Sequence, residues 1–356
     1  MVEQLQGSGS TSKKRIEYID AMRGFTMLLV VFGHVLTHGL NNYSEGSVVY
    51  SFFQTFRMPM FFFISGYIAY KATEYWDFDF YKKNLRKKAI IQLVPTVFFF
   101  ILYGVVFRIN FVSAFLKEGV GIYWFCQTLF EMFLIYYTIQ LICKYTSEKL
   151  FTWLILLAMV VTKVVGLVYR THGILYDTLL LYRLLPYFMY FALGLLCKKY
   201  NDLFLRLMKN DAVKAFLLLL FFFLFIFKYH HNIPYGKNLL YLSDHLLIRV
   251  AGLFCVFSFF LCHSDFFARN GKVSQTMQFV GRRTLDIYLL HYFFIPDLAC
   301  CNEFLSTDTR AVLELLFGFG LAALIIAVSL LCSAFIRNSE FLGHYLFGVK
   351  SDKYSY

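Results

Sequence analysis

The sequence predicts an all-α integral membrane protein, a bundle of about ten transmembrane helices with the N-terminus and the C-terminus both cytoplasmic. Three observations lead there. The 356-residue chain is 59% hydrophobic and 16% charged, with a mean hydropathy of +0.60, and a water-soluble domain needs more polar cover than that. Apolar runs of about 20 residues, enough to span hydrocarbon as a helix, recur along the chain. The basic residues collect on alternate loops, as they do in multi-pass proteins.

The runs fall at 21–40, 50–70, 89–107, 123–143, 151–168, 177–197, 212–228, 244–262, 284–300 and 311–336. No period-2 alternation recurs, and the runs are too long for barrel strands. The 44 Phe suit lipid contact and the 26 Tyr suit the headgroup level. Residues 1–15, including Gly7-Ser8-Gly9-Ser10, read as a flexible cytoplasmic tail or linker. Residues 16–348 read as one membrane unit, and 349–356 as a cytoplasmic tail. The first run continues without a cleavage site, so it is not a signal peptide.

The net charge of +12 raises the question of a nucleic-acid partner. Placing the N-terminus inside answers it. The outer side then holds only Arg108, Lys117, Lys163, Arg170, Lys228, Lys237 and Arg310. The inner side takes the clusters at 13–15, 82–88, 198–199 and 282–283, so membrane topology accounts for the charge. The expected location is an inner or plasma membrane, with the lipid bilayer as partner and no nucleic acid.

The eight cysteines form no C-x-x-C pair, and no metal is expected. Cys143, Cys197, Cys255 and Cys332 lie in apolar runs and read as small hydrophobes. Cys126, Cys300 and Cys301 lie near outer ends, where a disulfide is an open alternative.

Four cations fall within or at the ends of the runs: Arg23, Arg57, Arg183 and Arg249. Ionisable groups in hydrocarbon face a cavity or a partner, or snorkel to the interface. Arg23 and His34 are eleven residues apart. They point within about 20° of one helical face, about 16 Å apart along the axis. Asp20 lies three residues before Arg23, within pairing reach. A His at membrane depth is equipped for proton chemistry. His38 reads as interfacial.

These residues carry a resemblance. Tyr18-Ile19-Asp20, Arg23-Gly24 and Gly33-His34 resemble the opening of the membrane acyltransferase family 3. The stretch Phe56-Arg57-Met58-Pro59-Met60-Phe61-Phe62-Phe63-Ile64-Ser65-Gly66 is similar to that family's F-H-M-P-L-F-F-F-x-S-G. Gly281 to His291, with Thr284-Leu285 and Ile287-Tyr288, is similar to G-x-x-S/T-L-x-I-Y-L-x-H. Tyr123-Trp124-Phe125 and Phe188 to Gly194 are weaker echoes. The sequence departs from the pattern at three places. Arg57 stands where many members have His. Lys83-Asn84-Leu85-Arg86 only approximates R-x-x-R. Glu131 lies two residues beyond the expected Glu position. The chain is expected to be the short form, without an appended soluble domain.

The resemblance implies transfer of an acyl group, by default acetyl, from cytoplasmic acyl-CoA to a hydroxyl of a carbohydrate or cell-envelope glycan, with no metal. His34 is the expected general base, with Asp20 orienting Arg23. Arg57 or Arg183 would stabilise the oxyanion. Arg23, Lys83, Arg86, Lys87, Lys88 and Ser65 would serve the donor. Arg183, Arg249, Tyr288, His291 and Glu131 would line the acceptor side. Ser65-Gly66 also reads as a point of close helix approach, and Trp124 as an interfacial anchor. A multi-pass transporter of a glycan or lipid-linked precursor is the alternative, since buried cations also suit a substrate path. Oligomeric state is unknown from the sequence.

Overall fold

A computed structural model describes residues 16–40, 47–71, 76–144, 148–168, 173–231, 239–269, 271–301 and 310–349. The tail expected at 1–15 lies outside them, as do Arg170, Lys237 and all but the first residue of the tail at 349–356. The described residues are helical and contain no strand. In chain order the helices are α1 (Glu17–His34), α2 (Val48–Gln54), α3 (Arg57–Ala69), α4 (Phe78–Val106), α5 (Phe111–Glu118) and α6 (Trp124–Lys144). Next come α7 (Glu148–Val168), α8 (Ile174–Thr178), α9 (Leu181–Lys199), α10 (Asn201–Lys209), α11 (Asp211–His231) and α12 (Leu239–Cys262). The chain closes with α13 (Ser264–Ala268), α14 (Lys272–Arg282), α15 (Thr284–Leu290), α16 (Arg310–Ile336) and α17 (Glu340–Phe347).

Five stretches are long and apolar enough to cross a bilayer: Glu17–Gly39, Phe78–Val106, Gly121–Lys144, Lys149–Gly166 and Ala311–Ile336. The pair α10 and α11, bent by 75°, supplies a sixth if it forms one crossing. Outward-facing apolar side chains such as Phe223, Leu331 and Phe335 suit lipid contact. The chain is therefore a multi-pass helical membrane protein. The count of ten and the cytoplasmic placement of both termini rest on hydropathy and charge alone.

Several expected spans are not continuous helices, for local reasons. The run at 50–70 breaks at Thr55-Phe56 into α2 and α3. Pro59 occupies the third position of α3, where a missing N–H costs no helical bond. The run at 284–300 gives only α15, followed by a 3₁₀ turn at His291–Phe294 and extended backbone at Ile295, just before Pro296. The run at 177–197 is led by the short α8, and its long helix starts only at Leu181. Lys163, assigned to the outer side, belongs to α7 and donates to the Pro186 carbonyl at 3.1 Å.

Two helix pairs pack backbone to backbone. A Cβ on Gly24 would strike the Met277 carbonyl, and one on Gly281 would strike the Asp20 carbonyl, so α1 and α14 approach through reciprocal glycines. Gly66 and Gly194 do the same for α3 and α9, against the carbonyls of Phe191 and Phe63. This is the close approach expected at Ser65-Gly66, built from small residues as in membrane helix interfaces.

A buried ion pair fixes α15 to α16. Asp286 is 1% exposed. It accepts two hydrogen bonds from Arg337, both at 2.8 Å, and one from Arg283 at 3.4 Å. Ser333 also donates to it. Removing one partner of such a pair leaves the others charged and unpaired. Asp286→Ala should therefore lower stability by about 3–5 kcal/mol, seen as a lower melting temperature in detergent. An unchanged melting temperature would show that the pair is not needed.

Candidate active site

A cavity of about 830 Å³ runs between α1, α3, α4, α6, α9 and α15. Its wall includes Arg23 and His34, the two residues predicted to share a face of α1. It also includes Arg57, Ser65, Lys87, Lys88, Arg183 and Tyr288. The remaining predicted residues lie elsewhere. Asp20, Lys83, Arg86, Glu131, Arg249 and His291 are not part of the wall.

At one region of the cavity Arg23 Nη2 donates to Thr284 Oγ1 at 2.8 Å, tying α1 to α15. Its Nη1 lies 4.0 Å from Asp20, the pairing that the i, i+3 spacing predicts. Lys71, Lys87 and Lys88 join this region, with Lys88 in electrostatic range of Lys87, Lys71 and Arg23. The Lys88 ammonium sits 3.7 Å from the centre of the Phe133 ring, a cation–π contact that holds it beside the cavity. Lys83 and Arg86 fall outside because α4 turns about 100° per residue and presents Asn84, Lys87, Lys88 and Ile91 instead. Ser65 contributes a hydroxyl that is already bonded to the Phe61 carbonyl at 2.8 Å.

Eleven residues along α1, His34 ends the α-helix and a π-helical turn, Val35–Gly39, takes over. Such turns recur at functional sites. His34 Nε2 and the Tyr292 hydroxyl share a hydrogen bond at 3.0 Å. The His34 ring also lies 5.5 Å from His38 and 5.3 Å from His291. His38 lines the cavity wall. His291 stands behind His34, fully buried. Its Nδ1 bonds the Ile287 carbonyl at 2.9 Å, and its Nε2 has no partner.

Arg57 shows how the motif glycine works. A Cβ on Gly33 would coincide with the Arg57 guanidinium. The glycine therefore opens the face of α1 next to His34 and lets Arg57 lie across it. Arg57 is 7% exposed and donates to the Tyr50 hydroxyl at 3.2 Å, while its Nη1 has no partner.

On the α6 and α9 side, the Arg183 guanidinium stacks 4.7 Å from the Trp124 ring centre and 5.1 Å from that of Tyr182. Trp124 stacks in turn on Tyr187, so it is a wall residue of the cavity and not only an interfacial anchor. The Tyr288 hydroxyl accepts from the Phe125 amide at 3.1 Å and donates to the Ile122 carbonyl at 3.3 Å. That clamps α15 to the start of α6 and leaves the hydroxyl engaged. Arg249 lies beside Tyr190, and Glu131 is bonded to Gln127 at 3.1 Å. All eight cysteines are free, and no metal-binding cluster occurs among the described residues.

Tyr292 and Tyr50 were not singled out by sequence, and Thr284 entered only as the S/T of a motif. Tyr292 follows His291 directly, but its contact with His34 joins positions 258 residues apart. Nothing local signals it.

Gly33→Ala should displace Arg57 and destabilise the fold. In an Arg57→Ala background the same change should cost at least about 0.5 kcal/mol less, the coupling expected of residues in contact. Thermal unfolding of the four proteins measures it, and additive effects would separate the two residues.

No curated protein and no solved structure matches the chain. A family model described as an acyltransferase domain matches residues 16–334, nearly the whole membrane unit. The match agrees with the motifs around Arg23, His34, Ser65-Gly66 and Tyr288, and the chain belongs to the family 3 acyltransferases.

Proposed function

We propose that the chain is a membrane-bound O-acyltransferase moving an acyl group, acetyl by default, from cytoplasmic acyl-CoA to a hydroxyl of a carbohydrate or cell-envelope glycan precursor. The observation that carries this reading is one cavity joining a cationic region to a histidine. Arg23, Lys71, Lys87 and Lys88 stand at the first, and His34 with Tyr292 at the second.

Coenzyme A carries phosphates, which cations hold by charge-assisted hydrogen bonds. Its pantetheine arm is of a length comparable to the rise of about 16 Å between Arg23 and His34. With the phosphates at the lysines, the thioester sits near His34. The His34 imidazole then removes the proton from the acceptor hydroxyl as its oxygen attacks the thioester carbonyl. The tetrahedral oxyanion forms beside Arg57, whose free Nη1 is a donor in a water-poor site. The C–S bond breaks, the ester forms, and the coenzyme A thiolate takes the proton back from His34. Tyr292 holds the imidazole in one orientation through its hydroxyl. An acyl-His34 intermediate is a second route through the same residues.

The test is acetyl-CoA turnover in detergent, read as free thiol, with a panel of sugar acceptors. Acceptor-dependent release should fall by about 10²–10⁴-fold in His34→Ala, with folding unchanged. Tyr292→Phe keeps the ring and loses the hydrogen bond, so its fall should be smaller. Full activity in His34→Ala would end the general-base assignment. No release with any acceptor, together with no acetyl-CoA binding, would favour a transporter.

A further inference from the structure

Among the described residues, six side chains of the cavity wall are cationic: Arg23, Arg57, Lys71, Lys87, Lys88 and Arg183. None is acidic. A wall with this excess of positive side chains attracts anions. Under the acyltransferase reading, on which this inference rests, the donor's phosphates engage Arg23 and the three lysines. Arg57, laid against Gly33 beside His34, meets the developing oxyanion. Arg183 then remains without an assigned anion.

The environment of Arg183 points to a ligand. Its Nε is buried and has no partner. Its guanidinium is held by the Trp124 and Tyr182 rings through cation–π contact. A guanidinium presented this way matches a carboxylate or phosphate with two parallel hydrogen bonds. Arg183 is also the third residue of α9, and that first turn holds no acidic residue. A cation at a helix N-terminus opposes the helix dipole unless an anion sits there. Both Arg183 and Arg57 lie within electrostatic range of the Tyr292 hydroxyl, which bonds His34. Arg183 and His34 line the same cavity, so an anion on Arg183 shares that space with the base.

We infer that the acceptor is an acidic carbohydrate, whose carboxylate or phosphate is held by Arg183 while a nearby hydroxyl is presented to His34. Neutral sugars of the same size lack the anchoring group.

The test is calorimetric binding to the whole protein in detergent with saturating coenzyme A, so that the donor cations are occupied. The probes are methyl glucuronide, glucose 1-phosphate and methyl glucoside. At least one acidic probe should bind about tenfold or more tighter than the glucoside, as expected for a charge-assisted contact. Which acidic probe prevails tells carboxylate from phosphate. Arg183→Gln should bring the acidic probe to the level of the glucoside, and Arg183→Lys should restore part of the difference. Equal binding of all three probes to the wild type overturns the inference without any variant. A preference that survives in Arg183→Gln overturns it too. Thiol release with these sugars is scored separately. Turnover of the glucoside but of neither acidic sugar would leave the acyltransferase reading standing and this one refuted. Arg183-dependent binding without thiol release from any sugar would keep the anion site but overturn the acyltransferase reading, and with it the role of that sugar as acceptor.

Discussion

A charge inside hydrocarbon has to find a partner or a polar space, and the arrangement of this bundle follows from that constraint. Arg23 finds Asp20 and Thr284. Asp286 is surrounded by Arg337, Arg283 and Ser333. Among the described residues, Arg57, Arg183, Lys87 and Lys88 have no carboxylate beside them on the cavity wall, and they face a shared space instead. The helices that carry these groups are scattered along the chain, so satisfying them draws α1, α3, α4, α6, α9 and α15 around one cavity. Arg23 belongs to both groups, since it pairs with Asp20 and lines the cavity.

Close backbone approach makes the arrangement possible. The Gly24–Gly281 and Gly66–Gly194 contacts remove side chains where α1 meets α14 and α3 meets α9. Gly33 uses the same absence of a side chain differently, giving a guanidinium room beside a histidine. Without that gap Arg57 would have to leave the neighbourhood of His34. All five of these glycines sit in the stretches that resemble the family, which explains why short motifs in one chain point to both packing and chemistry.

The long spans were legible because their hydropathy is continuous: α1, α4, α6, α7 and α16 all appear close to the predicted runs. Hydropathy does not see breaks, so the second and ninth runs were read as unbroken. Pro59 was the missed signal for one, since a proline in that position marks the start of a helix. Pro296 was the signal for the other. At the site, the helical spacing of Arg23 and His34 predicted a shared cavity face, and the fold places both there. Periodicity does not fix a side chain's neighbours on other helices. That is why Lys83, Arg86, Glu131 and Arg249 were included and fall away from the cavity, while Tyr292 was passed over. Trp124 was assigned to the interface because aromatic residues at span ends usually lie there. Its stacking on Arg183 and Tyr187 comes from tertiary packing alone.

The central claim is that one cavity carries the donor from the cationic region to His34. A cryo-electron microscopy map of the protein with bound acetyl-CoA tests it most directly. The account predicts phosphate density against Arg23, Lys87 and Lys88, and the thioester within hydrogen-bonding reach of the His34 imidazole. Density for acetyl-CoA in another part of the bundle, or with its thioester turned away from His34, would contradict it.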